Sequence, residues 1–130
     1  MSERAMRRNG FTLIELLIVS VILGLLVSIG VQRFANSKEK THLVTMKADL
    51  RNLVTAEVVY STDSLRYTTL IGRGGLDYRV TTGNTPPSIA LTPDGFTAQI
   101  GSTNTPKLCA IFIGSTPLAP ATDEGVPACK

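Results

Sequence analysis

The sequence has no tryptophan, a single histidine and only two cysteines. His42 alone cannot build a zinc site or a Ser-His-Asp arrangement, because both need partners that the surrounding sequence does not offer. The cysteines, at positions 109 and 129, do not form the CxxC spacing of redox or zinc sites. We therefore expect no catalytic centre, no metal and no cofactor, and we predict that the protein is not an enzyme.

Two loop-like stretches resemble ligand sites only superficially. The GRGG segment at residues 72–75 lacks the lysine and serine that follow the glycines in a phosphate-binding loop, and it lacks the strand-to-helix setting. Asp123 and Glu124 are adjacent acids, and two acids in a loop are usually solvated rather than bound to a cation. We interpret both stretches as surface loops.

Positive charge is concentrated at the beginning of the chain. The net charge is +3, and the first ten residues hold three of the thirteen Lys and Arg but one of the ten Asp and Glu. Ten basic residues against nine acidic ones remain, so the rest of the chain is nearly neutral. Arg66, Arg73, Arg79 and Lys107 are also scattered in sequence. This distribution argues against nucleic acid as a partner.

Residues 11–31 form an apolar run that contains one charged side chain, Glu15. As an α-helix, 21 residues extend over about 31 Å, which is close to the hydrocarbon thickness of a bilayer of about 30 Å. The run predicts a transmembrane helix over residues 11–34. The preceding arginines, Arg4, Arg7 and Arg8, favour a cytoplasmic amino terminus and place the rest of the chain outside.

A cleaved secretory signal is the alternative interpretation of the apolar run. Residues 28–30, Ser-Ile-Gly, form a tolerable small-x-small cleavage site. The run is, however, longer than the usual 7–15 residues of such a signal. An acidic residue at its start also serves no secretory purpose, so we favour the membrane-spanning interpretation.

Proline is absent before Pro86, so nothing interrupts a helix that begins in the apolar run. Helical spacing continues beyond the membrane and predicts an apolar stripe: Leu43, Met46, Leu50, Leu53, Val54, Glu57 and Val58. Charged side chains are assigned to other faces: Lys38, Lys40, Lys47, Asp49 and Arg51. We predict one helix from residue 11 to about residue 60, of which the second half belongs to a globular head at residues 35–130.

After residue 60 the sequence becomes polar and then alternates between turn residues and short β-like runs. We predict a connecting loop over residues 61–76 and a sheet over residues 77–113, with a turn at Thr-Pro-Asp-Gly, residues 92–95. The predicted strands are residues 77–82, 88–92, 95–100 and 108–113. Antiparallel strands packed on the helix give an α+β fold.

Residues 7–16, RRNGFTLIEL, resemble the class III signal of type IV pilins and pseudopilins. The resemblance implies that residues 1–10 are a leader, which a membrane peptidase removes on the cytoplasmic side by cutting between Gly10 and Phe11. It also implies that the same enzyme methylates the new amine of Phe11. Glu15 then becomes the fifth residue of the mature chain.

Glu15 acquires a physical role from this cleavage. A carboxylate in an apolar environment is tolerable only when it is paired or neutralised, and the new amine of Phe11 lies four residues away. Glu15 can cap its own helix within one chain, or it can pair with the Phe11 amine of a neighbouring subunit in a filament. The two roles are compatible, and we favour the contact between subunits.

Cys109 and Cys129 bracket a segment of 19 residues that is rich in proline, glycine and threonine. An exported chain favours a disulfide between them, and closing such a loop contributes about 3 kcal/mol. Two free buried thiols are the alternative. Similar carboxyl-terminal disulfide loops occur in type IV pilins.

The resemblance implies a type IV pilin, the structural subunit of an extracellular bacterial filament that polymerises with itself from an inner-membrane pool. Its implied partners are the prepilin peptidase and methyltransferase, the membrane, and an assembly platform in the inner membrane. The alternatives are a type II secretion pseudopilin and a minor pilin for adhesion or DNA uptake. The cysteine loop favours the pilin, because major pseudopilins usually carry acidic calcium ligands instead.

Overall fold

The computed structural model describes residues 10–130, except for the side chain of Gln32. The helix α1 extends over Leu13–Ser64, and four strands follow: β1 Ser88–Thr92, β2 Gly95–Ser102, β3 Thr105–Ile113 and β4 Ala128–Cys129. The chain divides into two compact units, an amino-terminal unit that ends at Ser37 and a head, Lys38–Lys130. Apart from Gly10, the expected leader lies outside the described residues.

The helix α1 begins two residues later and ends four residues later than the sequence predicts. Leu65 stops it by adopting the left-handed conformation, with φ of 57°, and its N–H donates to the carbonyl of Ser61 at 2.9 Å. The hydroxyls of Ser61, Thr62 and Ser64 bond to carbonyls one turn earlier. The helix can continue through these polar residues because their hydroxyl groups form hydrogen bonds within it.

The four strands form one antiparallel sheet in the order β1-β2-β3-β4. The hairpin between β1 and β2 turns at Pro93 and Asp94, where Thr92 pairs with Gly95, as the sequence predicts. Gly95 is required there, because a Cβ at this position would overlap the carbonyl oxygen of Ile113. The predicted strands at residues 88–92, 95–100 and 108–113 are all present.

The predicted sheet boundaries are wrong at both ends. Residues 77–82 are not a strand, and β4 at Ala128–Cys129 extends the sheet beyond residue 113. The first segment is irregular because its N–H groups bond elsewhere: that of Tyr78 donates to Leu76, and that of Thr81 donates to the carboxylate of Asp49. The connecting region therefore continues from Leu65 to residue 87.

The head has one hydrophobic core between α1 and one face of the sheet. Met46, Leu50 and Leu53 on the helix are fully buried, as are Phe96 and Ile111 on the sheet. The helical stripe is thus confirmed except at Val58, which is 50% exposed. The α+β fold with a long helix on a small antiparallel sheet is confirmed as well.

The sequence pattern assigns Asp49 to an outer face of α1, and this assignment is wrong. The residue is 2% exposed. It lies three residues after Met46 and four before Leu53, so it falls on the buried side of the helix. Because Asp49 is charged, the pattern of apolar residues in the sequence does not reveal that it is buried.

Candidate processing and assembly site

Gly10 and Phe11 lie before α1 and are accessible. Phe11 is 86% exposed, and a Cβ built on Gly10 would meet no atom within 4 Å. Because glycine has no side chain, it lets the backbone enter a narrow protease cleft. The described geometry is compatible with cleavage between the two residues, while cleavage and methylation at Phe11 stay predictions.

Thr12 and Glu15 form a capping box at the start of α1. The N–H and the hydroxyl of Thr12 both donate to Oε2 of Glu15 at 2.9 Å, and the N–H of Glu15 donates to Oγ1 of Thr12 at 3.3 Å. This reciprocal arrangement satisfies backbone donors that the first helical turn leaves free. The spacing of a threonine and a glutamate three residues later is a signal for it in the sequence.

Glu15 therefore caps its own helix in a single chain, which is one of the two roles considered for it. Its carboxylate also lies in the first turn, where the helix dipole favours an anion. One of its oxygens, Oε2, receives both bonds from Thr12, which leaves acceptor capacity on the carboxylate. The pairing of Glu15 with the Phe11 amine of a neighbouring subunit stays a prediction.

The helix after Glu15 presents its apolar side chains on every face. Large hydrophobic residues from Leu13 to Val31 are 50–88% exposed. By length and composition alone, α1 is long and apolar enough to cross a membrane. So much apolar surface requires a nonaqueous environment, which a bilayer or neighbouring copies of the same helix can supply.

The predicted disulfide between Cys109 and Cys129 is confirmed. The two residues are direct cross-strand partners in β3 and β4, with their Cα atoms 4.0 Å apart. Beside them, Leu108 and Lys130 exchange two backbone hydrogen bonds of 3.0 Å. The bond therefore fixes the last described strand to the sheet.

Asp49 is a buried anchor between α1 and the connecting region. Its carboxylate accepts three hydrogen bonds, from the N–H of Thr81 at 3.0 Å, the hydroxyl of Thr81 at 2.7 Å and the side-chain amide of Asn84 at 2.7 Å. These bonds satisfy the acceptor oxygens of a carboxylate that is buried from water. The segment that the sequence predicts as a strand is held by this side chain instead.

Glu57 is a second buried carboxylate, two turns further along α1. Its Oε2 accepts a hydrogen bond from the N–H of Thr68 at 3.1 Å, while Oε1 is buried without a partner among the described residues. Burial raises the pKa of Glu57, and the hydrogen bond from Thr68 offsets this increase only in part. Glu57 thus holds the connecting region by one hydrogen bond, whereas Asp49 accepts three.

The other residues considered from the sequence form no site in the structure. His42 is half-buried on α1, and no group of three or more potential metal ligands occurs among the described residues. Glu124 accepts a hydrogen bond from the N–H of Gly114 at 2.7 Å, so it supports a loop. Residues 72–75 form an exposed turn with two glycines at positive φ.

Comparison with known proteins places these features in a family. A family described as the prokaryotic N-terminal methylation motif matches residues 5–31. Type II secretion system core protein G of Klebsiella michiganensis is 32% identical over 98 residues, which cover 75% of this chain and 68% of that protein. The core protein G of Klebsiella pneumoniae is 36% identical over 89 residues, which cover 68% of this chain and 62% of that protein.

A pilin is also among the relatives. The type IV major pilin protein PilA of Myxococcus xanthus is 36% identical over 61 residues, which cover 47% of this chain and 28% of that protein. No solved structure matches the chain. The similarity to core protein G of Klebsiella michiganensis covers 98 residues, so it extends well beyond the methylation motif and into the head. The chain therefore belongs to the pilin and pseudopilin family.

Proposed function

We propose that this chain is a structural subunit of a filament of the type II secretion kind, a pseudopilin, and that it has no enzymatic activity. The observation that supports a filament subunit is the exposed apolar first half of α1, which follows a processing motif and precedes a folded head in the chain. Such a subunit can be stored in a membrane and later packed against copies of itself.

The choice between pseudopilin and pilin depends on the relatives. The sequence alone ranks the pilin first because of its cysteine loop, and the disulfide still favours that second candidate. The similarity to core protein G, however, covers 98 residues and therefore includes much of the head, whereas the similarity to the pilin covers 61 residues. Because the helix is common to both classes, similarity in the head is more informative, and it favours the pseudopilin.

The expected life cycle follows from this role. The subunit starts in the inner membrane as a single-pass protein, with Gly10 on the cytoplasmic side and the head outside. A prepilin peptidase removes the leader and methylates Phe11, and an assembly platform in the inner membrane then moves the helix out of the bilayer. The filament consists of many copies of this chain.

Deletion of the gene distinguishes the two candidates. For a pseudopilin, we expect secretion of folded exoproteins to stop while surface pili remain, and the full-length gene should restore secretion. Loss of surface pili with intact secretion would favour the pilin. If both secretion and surface filaments were unchanged, the proposed role as a filament subunit would be wrong.

A further inference from the structure

The face of α1 that points away from the core carries a stripe of cations in the head. Lys40, Lys47 and Arg51 are separated by seven and four residues, a spacing that places them on one side of a helix. Val44 lies between the first two and is 65% exposed. The buried residues Met46 and Leu50 occupy a different side of the same turns. We refer to Lys40, Val44, Lys47 and Arg51 as the basic stripe.

Within the part of the chain that the structure describes, the basic stripe has no ionic partner. Among the described residues, none of its three cations forms an ion pair; the ion pair between Lys107 and Glu39 lies outside the stripe. No acidic residue occupies a stripe position, because Glu39 and Asp49 fall on other sides of the helix. Three cations around an exposed valine form a surface that an anionic partner with an apolar portion would fit.

A patch of three acidic residues lies elsewhere on the head. Asp94 accepts a hydrogen bond from the N–H of Ser115 at 2.7 Å, and Glu124 accepts one from the N–H of Gly114 at 2.7 Å. The two carboxylates therefore lie against adjacent residues, and Asp123 is next to Glu124 in the chain. All three acids are exposed. We refer to Asp94, Asp123 and Glu124 as the acidic patch.

The acidic patch lies near the carboxyl-terminal end of α1. Asp94 lines the same surface groove as Ser61, Leu65 and Arg66, and no ion pair joins Asp94 to Arg66 among the described residues. Lys47, at the middle of the basic stripe, precedes Ser61 by 14 residues, which is about 21 Å along a helix. No ion pair joins the patch to the stripe within the described residues. Contact between them therefore requires a second chain that is displaced along the helix axis.

We propose that the basic stripe of one subunit docks against the acidic patch of a second copy of this chain. The three positive and three negative charges match in number, and each surface lacks an ionic partner of its own among the described residues. Because the two surfaces are different, the contact is head-to-tail and can repeat without closing, as a filament requires. An anionic lipid surface would match the stripe but would leave the patch unpartnered. This inference depends on the proposed filament function.

A charge swap in cells that express the full-length chain tests the contact. Like charges across the contact disfavour docking, so Arg51→Glu should lower the number of filaments by about tenfold or more. Asp123 is suitable for the complementary change because it does not hold Gly114 or Ser115. Asp123→Lys combined with Arg51→Glu should restore filaments to within about threefold of the wild type.

The matched control is Arg73→Glu, which inverts one exposed charge outside the stripe and should leave filaments unchanged. Unchanged filaments in Arg51→Glu, or a loss that Asp123→Lys does not correct, would overturn the docking contact. If the loss coincided with loss of binding to phosphatidylglycerol vesicles, the stripe would be a lipid-binding surface. The wild type is measured in parallel: if it formed no filaments, the proposed function itself would be wrong.

Cysteine cross-linking gives a second and direct measurement. Arg51→Cys and Asp123→Cys in the same chain should produce a ladder of disulfide-linked multimers when filaments are oxidised and separated without reducing agent. Arg73→Cys with Asp123→Cys has the same number of added thiols and should give monomers. A monomer band alone from the first pair, in filaments that do form, would overturn the contact while leaving the filament function intact.

Discussion

Asp49 and Thr81 are 32 residues apart in the chain, and both the N–H and the hydroxyl of Thr81 donate to the Asp49 carboxylate. This contact attaches an irregular segment to a helix by a side chain rather than by a strand ladder. It replaces the hydrogen bonds that a strand at residues 77–82 would have formed.

Asp49→Ala should therefore destabilise the head strongly. It leaves three donors on Thr81 and Asn84 without their acceptor, and we expect a loss of about 3 kcal/mol or more in the free energy of unfolding. Asp49→Asn keeps one acceptor oxygen and should lose less. Urea unfolding of the detergent-solubilised chain, followed by circular dichroism, measures both variants. An alanine variant as stable as the wild type would show that the anchor contributes nothing.

Glu57→Gln should stabilise the head at neutral pH. The pKa of Glu57 is raised in the folded state, so the folded protein binds more protons than the unfolded one between the two pKa values. The wild type should lose stability as the pH rises from about 4.5 through the raised pKa. The glutamine variant does not titrate, so it should lack this loss and be more stable than the wild type at pH 7. Parallel pH profiles for the two proteins would contradict a buried, titrating Glu57.

Reduction of the disulfide between Cys109 and Cys129 should lower stability by about 3 kcal/mol, because the unfolded chain regains the entropy of a loop of that size. The measurement is urea unfolding of the solubilised chain with and without a reducing agent, with the double serine variant as the control. Thiol labelling of both cysteines in unreduced filaments would show that the bond is absent in the assembled state.

Processing should occur between Gly10 and Phe11. Mass spectrometry of the mature amino terminus should find Phe11 carrying one added methyl group on its amine. Gly10→Ala should slow cleavage mildly, whereas Gly10→Leu should block it, because the side chain obstructs the protease cleft. Phe11→Tyr, which leaves the glycine unchanged, is the control. A mature chain that begins at Val31 would identify a secretory signal instead.

Glu15→Gln separates the two roles of this residue. Glutamine still completes a capping box with Thr12, so α1 should begin at the same place, but the charge is lost. Cleavage at Gly10 should continue, filaments should nearly disappear, and processed subunit should accumulate in the inner membrane. An unpaired buried charge is strongly unfavourable, so we expect the charged pair to set the register between subunits.

Thr12→Val is the matched variant for that experiment, since it removes the hydroxyl of the cap and keeps the carboxylate. It should cost about 1 kcal/mol of helix stability and leave most filaments in place. Filament counts near the wild-type value in Glu15→Gln would mean that Glu15 acts only as a cap.

The parts of the fold that follow a simple period are predictable from the sequence. Met46, Leu50 and Leu53 repeat with the helical spacing, and Thr-Pro-Asp-Gly before an alternating segment identifies the β1–β2 hairpin. Both signals are local. The cleavage motif around Gly10 is local as well, because the residues that define it are consecutive in the chain, so the sequence is sufficient to locate the candidate site.

The parts that depend on distant partners are not predictable in this way. β4 has two residues, too few for a pattern, and it exists because Cys129 lies beside Cys109. In the sequence alone, Asp49 resembles an exposed surface charge. Its hydrogen-bond donors, Thr81 and Asn84, are distant in the chain and lie beside it only in the folded protein. The basic stripe can also be recognised as a surface only after the burial of Met46 and Leu50 shows which side of α1 faces the core.

The covalent bond between Cys109 and Cys129 encloses residues 110–128 in a ring. Part of that ring is an exposed loop, with Asp123 and Glu124 at its surface. A single cut by an extracellular protease in this loop would open the ring without detaching any fragment, because both new ends stay joined through the sulfur atoms. A nicked subunit would therefore keep its full mass on a nonreducing gel, and the proposed filament could receive one such cut in every subunit before any piece of it was lost.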